Sequence, residues 1–222
     1  MSSATAVHAG HAHGHSHGHT HGEHGLPVSS SGDGPAPKPI IVAYGFWIFL
    51  LSDIIMFSAI FATYAVLAGA TNGGPTGAQL FDYTNVAIET GCLLASSFTC
   101  GMMMLAVHEE SRIWSTVGAA VTFVFGAIFL ALELTEFADM IAKGATPQRS
   151  AFLSSFFTLV GCHGAHVAIG LLWLTVMVLQ IWAKGFRDTI LRRLACFSLF
   201  WHALDIIWVA LFSIVYLMGG GR

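Results

Sequence analysis

From residue 40 onward, the chain consists of long apolar blocks separated by short polar breaks. The blocks cover about residues 40–68, 84–107, 113–137, 151–183 and 194–218. A helix needs about 20 mostly apolar residues to cross a bilayer, and every block reaches that length. Within a membrane a helix satisfies its own backbone hydrogen bonds, whereas an open sheet does not. The pattern therefore predicts an all-α fold, a polytopic membrane helix bundle with five transmembrane helices.

The first 39 residues differ in composition from the rest of the chain. Eight of the twelve histidines lie between His8 and His24, and Ser, Gly and Pro dominate the residues that follow. Because such a segment has no apolar set to bury, we expect a disordered His-rich tail over 1–39, ahead of a transmembrane domain over 40–219. Alternating His and Gly also hold ions such as Zn²⁺ or Ni²⁺ loosely, so weak metal affinity is expected of the tail.

The overall composition excludes several classes of protein. Hydrophobic residues make up 55% of the chain and charged residues only 9%, whereas an average soluble domain is about a quarter charged. A soluble enzyme and a disordered regulator are therefore excluded. With 9 Lys and Arg against 12 Asp and Glu, the chain also has no basic surplus for binding nucleic acid. The four cysteines lie singly in apolar blocks, which favours small buried hydrophobes: Cys92, Cys100, Cys162 and Cys196.

The basic residues all fall in the termini and loops, where they bear on orientation. A cytoplasmic N-terminus places six of them on the inner side and three on the outer side, namely Lys38, Arg112, Lys184, Arg187, Arg192 and Arg193 against Lys143, Arg149 and Arg222. Because short cytoplasmic loops carry an excess of Lys and Arg, we predict a cytoplasmic N-terminus and a periplasmic C-terminus.

Acidic residues, in contrast, enter the apolar blocks, and no Lys or Arg accompanies them. They are Asp53, Glu89, Glu133, Glu136 and Asp205. An ionised carboxylate at the bilayer centre costs about 2.5–3.5 kcal/mol. Each must therefore be protonated, hydrogen-bonded to a polar side chain, or paired with another subunit. We expect Asp53 and Glu136 to be neutral carboxyls that bond between helices, and we regard Glu89 and Asp205 as candidates for a functional role.

The histidines inside the apolar blocks form two short motifs. His163 and His166 are three residues apart, as are His202 and Asp205, so each pair shares a helix face. Such pairs suggest metal or haem ligands, but two ligands do not complete a site. We therefore favour hydrogen bonding between helices. An alternative function is a polytopic transporter or metal channel, in which the His-rich tail and the pair of His202 and Asp205 bind the transported ion.

Several separate strings of residues resemble subunit III of the haem–copper oxidases, especially its bo-type ubiquinol oxidase branch. The resemblance extends from Tyr44 to about Gly219 and follows the chain order. Its strings are Gly45-Phe46-Trp47-Ile48, Ser52-Asp53, Phe61-Ala62-Thr63-Tyr64, Gly73-Gly74-Pro75-Thr76-Gly77, Glu89-Thr90, Phe152-Leu153-Ser154, Gly161-Cys162-His163-Gly164-Ala165-His166, Leu199-Phe200-Trp201-His202-Ala203-Leu204-Asp205 and Val215-Tyr216-Leu217-Met218-Gly219.

The resemblance implies an accessory role in a proton-pumping respiratory complex of the bacterial inner membrane, one that reduces O₂ to water. In this family the haems and copper belong to subunit I, and subunits II and IV complete the complex. Subunit III supports assembly and durable turnover and binds phospholipid between its helices. The resemblance therefore implies no catalytic residue, no cofactor and no metal site in this chain. Whether the electron donor is quinol or cytochrome c rests only on the branch-like strings.

The resemblance also suggests roles for particular residues. The buried Glu of the family corresponds to Glu89, which either assists proton supply to the neighbouring subunit or bonds to another helix. Glu133 and Asp53 join it as buried polar candidates for a lipid-related or proton-related role. We expect the remaining candidates to lock spans four and five together: His163, His166, Trp201, His202 and Asp205.

Overall fold

A computed structural model describes residues 38–71 and 83–217 of the chain. The predictions for the His-rich tail and for the Gly73–Gly77 string therefore concern residues outside the described ones, apart from the backbone of Lys38 and Pro39. In the two described stretches the chain is helical, without a β-strand.

Five long helices make up the described part of the chain. They are α1 (Lys38–Leu67), α2 (Tyr83–His108), α3 (Arg112–Ala142), α4 (Ala151–Lys184) and α5 (Asp188–Leu211), and a π-helical turn, Phe212–Leu217, continues α5. All five are long and apolar enough to cross a membrane. The predicted five-helix membrane bundle is confirmed, and the chain is a multi-pass membrane protein. Its orientation across the membrane stays a prediction.

Two helices extend beyond the apolar blocks that predicted them. Helix α3 continues to Ala142, and α5 begins at Asp188 rather than near residue 194. A helix satisfies its backbone hydrogen bonds internally, so it need not end where the hydrocarbon ends. Asp188 also stands in the first turn of α5, where a negative charge interacts favourably with the helix dipole.

Short connections make consecutive helices from α2 to α5 antiparallel neighbours. The α2–α3 connection spans only 109–111, and Gly185, with φ of 74°, ends α4 just before α5 begins. The Trp182 indole near the end of α4 donates a 3.1 Å hydrogen bond to Thr116 Oγ1 near the start of α3. At the opposite end, the Phe152 N–H of α4 lies 3.3 Å from the carbonyl of Ala70, just past α1.

Helix α1 occupies a peripheral position. It packs on α4 and α5 rather than on its chain neighbour α2. Only 11% of its central apolar window is buried, against 28–39% for the other four helices. The core therefore lies among α2, α3, α4 and α5, and α1 covers one side of that core.

Trp201 fills the centre of this core because two glycines admit its indole ring. A Cβ atom at Gly126 of α3 would lie 3.0 Å from Trp201 Cζ2, and one at Gly170 of α4 would lie 2.8 Å from Cζ3. Real Cβ contacts are rarely so close. The two glycines thus let α3 and α4 approach the ring from both sides, an instance of small residues permitting close helix packing.

Candidate functional site

Two tryptophans of α5 donate hydrogen bonds to hydroxyls of α2. The Trp201 indole N–H lies 3.1 Å from Ser96 Oγ, and the Trp208 N–H lies 3.0 Å from Thr90 Oγ1. The two donors are seven residues apart on α5 and their acceptors six apart on α2. The two hydrogen bonds therefore lie along one line between antiparallel helices, and they fix the register of α5 against α2. We call each such interhelical bond a rung.

His202 adds a third hydrogen bond between the same helices. Its Nδ1 and Ser97 Oγ lie 2.6 Å apart. The Asp205 carboxylate lies close to both groups, although its Oδ1 has no hydrogen-bond partner in the part of the chain that the structure describes. We call this set the α2–α5 seam: Thr90, Ser96 and Ser97 with Trp201, His202 and Trp208.

His163 connects α4 to α5 from the other side of the core. It is fully buried, with 0% of its surface exposed, and its Nε2 lies 3.2 Å from the carbonyl of Leu204. Its ring meets the edge of Phe129 at a centroid distance of 5.7 Å and lies 5.0 Å from the Trp208 ring. The bond to Leu204 makes Nε2 the donor, so the imidazole is held by the protein backbone.

His166, three residues further on, faces α1 instead. Its Nδ1 bonds to the Cys162 carbonyl of its own helix at 2.7 Å. Its ring lies 5.2 Å from that of Phe57 on α1 and 6.4 Å from that of Phe200 on α5. Half-buried Asp53 lies within electrostatic range of Cys162 at this same α1–α4 contact. The two histidines of the pair thus serve different helix contacts and do not converge on one ligand.

A group of carboxyl side chains lies inside the bundle, near the end of the seam where Trp208 bonds to Thr90. Glu89 of α2 is 1% exposed and Glu133 of α3 is 2% exposed, and Glu136 is within electrostatic range of both. We call these three residues the carboxyl cluster. Tyr216, in the π-helical turn, and Tyr64 of α1 border it. All five side chains are thereby gathered at the end of the bundle where α1 ends and α2 begins.

Unlike the hydroxyls of the seam, carboxyl oxygens of Glu89 and Glu133 lie buried without a hydrogen-bond partner in the described part of the chain. Among the described residues, neither carboxyl oxygen of Glu89 forms a hydrogen bond, and Glu133 Oε2 and the Tyr64 hydroxyl also lack one. No Lys or Arg lies in the apolar blocks to pair with these carboxyls, so their burial carries a desolvation cost.

Glu133 is held by a close approach of α4. A Cβ atom at Gly164 would lie 2.9 Å from the Glu133 carboxyl carbon and nearer still to Oε1. Only glycine at this position leaves room for the carboxyl between α3 and α4. The glycine beside His163 in the sequence is therefore part of the site.

None of these arrangements gathers a complete metal-ligand set. Within residues 38–71 and 83–217, no group of three or more His, Cys, Asp and Glu side chains is placed to hold a metal ion. The geometry in the described bundle is that of polar contacts between helices, together with the two buried carboxyl side chains of Glu89 and Glu133.

The family model for cytochrome c oxidase subunit III matches residues 21–220. The chain belongs to the cytochrome c oxidase subunit III family. It is 49% identical over 176 residues to the cytochrome bo(3) ubiquinol oxidase subunit 3 of Pseudomonas aeruginosa, covering 79% of this chain and 84% of that one. It is 42% identical over 184 residues to the quinol oxidase subunit 3 of Bacillus subtilis, covering 80% and 87%. The resemblance drawn from the sequence is confirmed, and these matches do not support the transporter or metal-channel alternative.

Within this subunit III fold, the residues expected to lock α4 and α5 together bond to different helices. The hydrogen bonds of Trp201 and His202 reach Ser96 and Ser97 on α2, although the Trp201 ring also packs on Gly170 of α4. The ring nitrogen of His163 on α4 bonds to α5, and a locking role for the whole set stays a prediction. The difference arises because α5 lies between α2 and α4 and presents a separate face to each.

Several residues of the site were not singled out in the sequence. Thr90, Ser96 and Ser97 look like ordinary small hydroxyl residues of an apolar span, and Trp208 looks like one of six tryptophans. A weak signal was available, because donors and acceptors recur at matching intervals of about two helical turns. That signal identifies a seam only when the two helices are known to be neighbours.

Proposed function

We propose that the chain is an accessory subunit, without a redox centre, of a respiratory ubiquinol oxidase that reduces O₂ to water and pumps protons. The observation that carries the proposal is the 49% identity, over four fifths of the chain, to a relative named subunit 3 of a cytochrome bo(3) ubiquinol oxidase. The similarity to a quinol oxidase subunit 3 from Bacillus subtilis supports quinol rather than cytochrome c as the electron donor.

The use of the histidines supports a role other than holding a cofactor. His163, His166 and His202 each commit one ring nitrogen to a hydrogen bond within the protein. Haem and copper ligation uses ring nitrogens that converge on one point, whereas these three rings serve different helix contacts. In our proposal haem and copper reside in subunit I, and this chain contacts subunit I in an assembly that also contains subunits II and IV.

Grooves on the bundle supply places for phospholipid in the same proposal. One groove of about 680 Å³ lies between α2 and α3 and combines the apolar Met102, Leu105 and Val117 with the polar His108 and Glu109 at one end. Exposed Trp114 lines it too, and tryptophan is typical of the membrane interface. We assign the acyl chain to the apolar part and the headgroup to the polar end.

The proposal also includes the membrane in which the complex lies and the orientation of this chain. The complex belongs in the bacterial inner membrane, with the N-terminus of this chain in the cytoplasm. The predicted orientation places the carboxyl cluster toward the periplasmic side. Accessory function then means that the five-helix bundle stabilises the catalytic subunit and keeps lipid beside it.

Affinity purification from membranes tests the proposal. A tag on this chain is expected to bring down a larger haem-bearing subunit, and the eluate is expected to oxidise ubiquinol and consume O₂. Deleting the chain is expected to lower the yield of the complex or to speed its inactivation during turnover, while the haem spectrum of the remaining subunit persists. Recovery of this chain alone, or of a haem spectrum from it alone, contradicts the proposal.

A further inference from the structure

A groove between α1 and α5 opens toward the membrane and contains a polar group at mid-depth. Its apolar walls include Trp47, Ile54 and Phe61 from α1 and Ile206 from α5. His202 also lines the groove. His202 is the central residue of the 29-residue stretch Asp188–Tyr216, which is long and apolar enough to cross a membrane. If this stretch spans the bilayer symmetrically, its midpoint places the His202 ring near mid-depth.

One nitrogen of this ring still needs a partner. His202 Nδ1 is occupied by Ser97, whereas its Nε2 forms no hydrogen bond with any described residue of the chain. A polar group facing hydrocarbon without a partner is costly. The polar groups of a phospholipid lie about 15 Å from the bilayer centre, since the hydrocarbon core is about 30 Å thick. An acyl chain in this groove therefore leaves Nε2 unsatisfied.

The spacing of the groove walls suits another helix. Trp47, Ile54 and Phe61 recur every seven residues along α1, and Ala203 and Ala210 do so along α5. A seven-residue repeat presents a continuous stripe to a third helix that packs alongside at a small angle. The two alanines also allow the close backbone approach that helix packing in membranes uses.

We propose that the α1–α5 groove docks a transmembrane helix of a neighbouring subunit, which presents one hydrogen-bonding side chain to His202 Nε2. The inference rests on the proposed function, because it takes the partner helix from the oxidase complex. The inference identifies the α1–α5 face as the surface through which this chain binds the rest of the oxidase complex. It also explains why α1 is so little buried: the bundle is incomplete on the side where α1 and α5 meet.

Photocrosslinking in the intact complex tests the groove directly. Benzoylphenylalanine is placed at Ile206, which lines the groove, or at Phe98 of α2, which does not; both native side chains are 71% exposed. On illumination in native membranes, the Ile206 position is expected to cross-link to a transmembrane segment of another subunit, at a yield well above that of Phe98. Adducts of phospholipid or quinone alone at Ile206, or a cross-link to a second copy of this chain, overturn the proposal.

Retention of the chain tests the hydrogen bond. His202→Phe fills the groove wall but removes Nε2. It is expected to lower retention in detergent-washed complex by about threefold, the average effect of one interhelical hydrogen bond in a membrane, and by at most roughly 18-fold. His202→Gln keeps a polar side chain and is expected to retain the chain. Ser97→Ala breaks the bond to Nδ1 without altering the groove wall, so it controls for damage within the bundle.

The outcomes separate this inference from the function on which it rests. Equal loss with His202→Phe and Ser97→Ala, or no loss with His202→Phe, contradicts docking through Nε2. If no haem subunit copurifies with the native chain, the proposed function fails. In that case a cross-link from Ile206 to a helix of some other protein still supports the groove as a docking site.

Discussion

The α2–α5 seam and the carboxyl cluster are two polar regions inside one apolar bundle, and they differ in how their groups are bonded. Each of the three rungs of the seam joins two side chains at 2.6–3.1 Å. In the cluster, Glu89 is equally buried, yet neither of its oxygens has a hydrogen-bond partner in the described part of the chain.

This difference shows that burial alone does not tell whether a polar residue stabilises or destabilises the bundle. A bonded group in hydrocarbon stabilises the helix contact that bonds it, whereas an unbonded group lowers stability by its desolvation cost. The seam therefore specifies how α5 sits on α2. Glu89 weakens the bundle unless a proton, water or a neighbouring subunit compensates for its unbonded oxygens, which is consistent with a role for Glu89 outside packing.

The largest expected effect comes from removing the Trp201 side chain, which belongs to the seam and fills the centre of the core. Trp201→Ala leaves a large cavity between Gly126 and Gly170 and removes the indole donor from Ser96, whose hydroxyl keeps its bond to the Leu93 carbonyl. We therefore expect a loss of about 3–5 kcal/mol in the free energy of unfolding. The midpoint of unfolding by SDS in mixed micelles measures the loss. Trp182→Ala is the control, because Trp182 is 67% exposed; an equal loss in both variants contradicts a special role of the central position.

The second effect concerns the close approach of Gly164 on α4 to the Glu133 carboxyl on α3. Gly164→Ala drives a methyl group into the Glu133 carboxyl, and overpacking of this kind costs about 1–3 kcal/mol. Gly161→Ala is a matched control one turn away, where the nearest atom would be Phe137 Cε2 at an ordinary 3.6 Å. We expect the control to be neutral or slightly stabilising because alanine favours helix over glycine. Similar unfolding midpoints for the two variants would show that α4 does not pack closely enough on the Glu133 carboxyl to exclude a methyl group at residue 164.

The third effect isolates one rung of the seam. Ser96→Ala removes the acceptor of the Trp201 indole N–H. It is expected to cost about 0.6 kcal/mol, the average for interhelical hydrogen bonds in membranes, and no more than about 1.7 kcal/mol. Ser58→Ala on α1 is the control, since the Ser58 hydroxyl donates only to the Ile54 carbonyl of its own helix. If the same unfolding assay gives both variants the native midpoint, the rung carries no stability.

The smallest effect on stability is expected in the cluster. Glu89→Met replaces an unbonded buried carboxyl with an apolar side chain of similar length, and such replacements are often neutral or stabilising. A loss as large as that of Ser96→Ala would mean that Glu89 is bonded after all, and the contrast between the two regions would disappear.

Glu89→Gln separates the two roles considered for this residue. The variant is compared with the native complex for retention of the subunit and for inactivation during turnover. Faster inactivation with full retention favours a proton-related role, whereas no change in either quantity favours packing alone.

The fold was largely predictable from the sequence because the hydrophobic effect acts on whole segments. Each apolar block became one helix, and the errors are confined to ends such as Ala142 and Asp188, where helices extend beyond the hydrocarbon. The positions of Glu89, Glu133 and His163 inside the bundle followed for a similar reason, since a polar residue within a membrane helix faces the protein.

The partners of these residues were not predictable in the same way. Whether Trp201 bonds to α2 or to α4 depends on which helix lies beside each face of α5, and one sequence does not specify that arrangement. Ser96 carries no unusual signal by itself. Its importance comes from a residue 105 positions away in the chain.

The peripheral packing of α1 has a consequence for biosynthesis. Ribosomes make α1 before the other four described helices, yet its packing surfaces, α4 and α5, emerge only after residues 68–150 have been synthesised. At about 5–20 residues per second, α1 waits roughly 4–17 s in the membrane before it meets α4. During that interval its Asp53 and its exposed apolar face have no packing partner from the later helices of the chain. Among the five described helices, α1 therefore waits longest for its packing partners in this chain, and early contact with a chaperone or another subunit would cover it in the meantime.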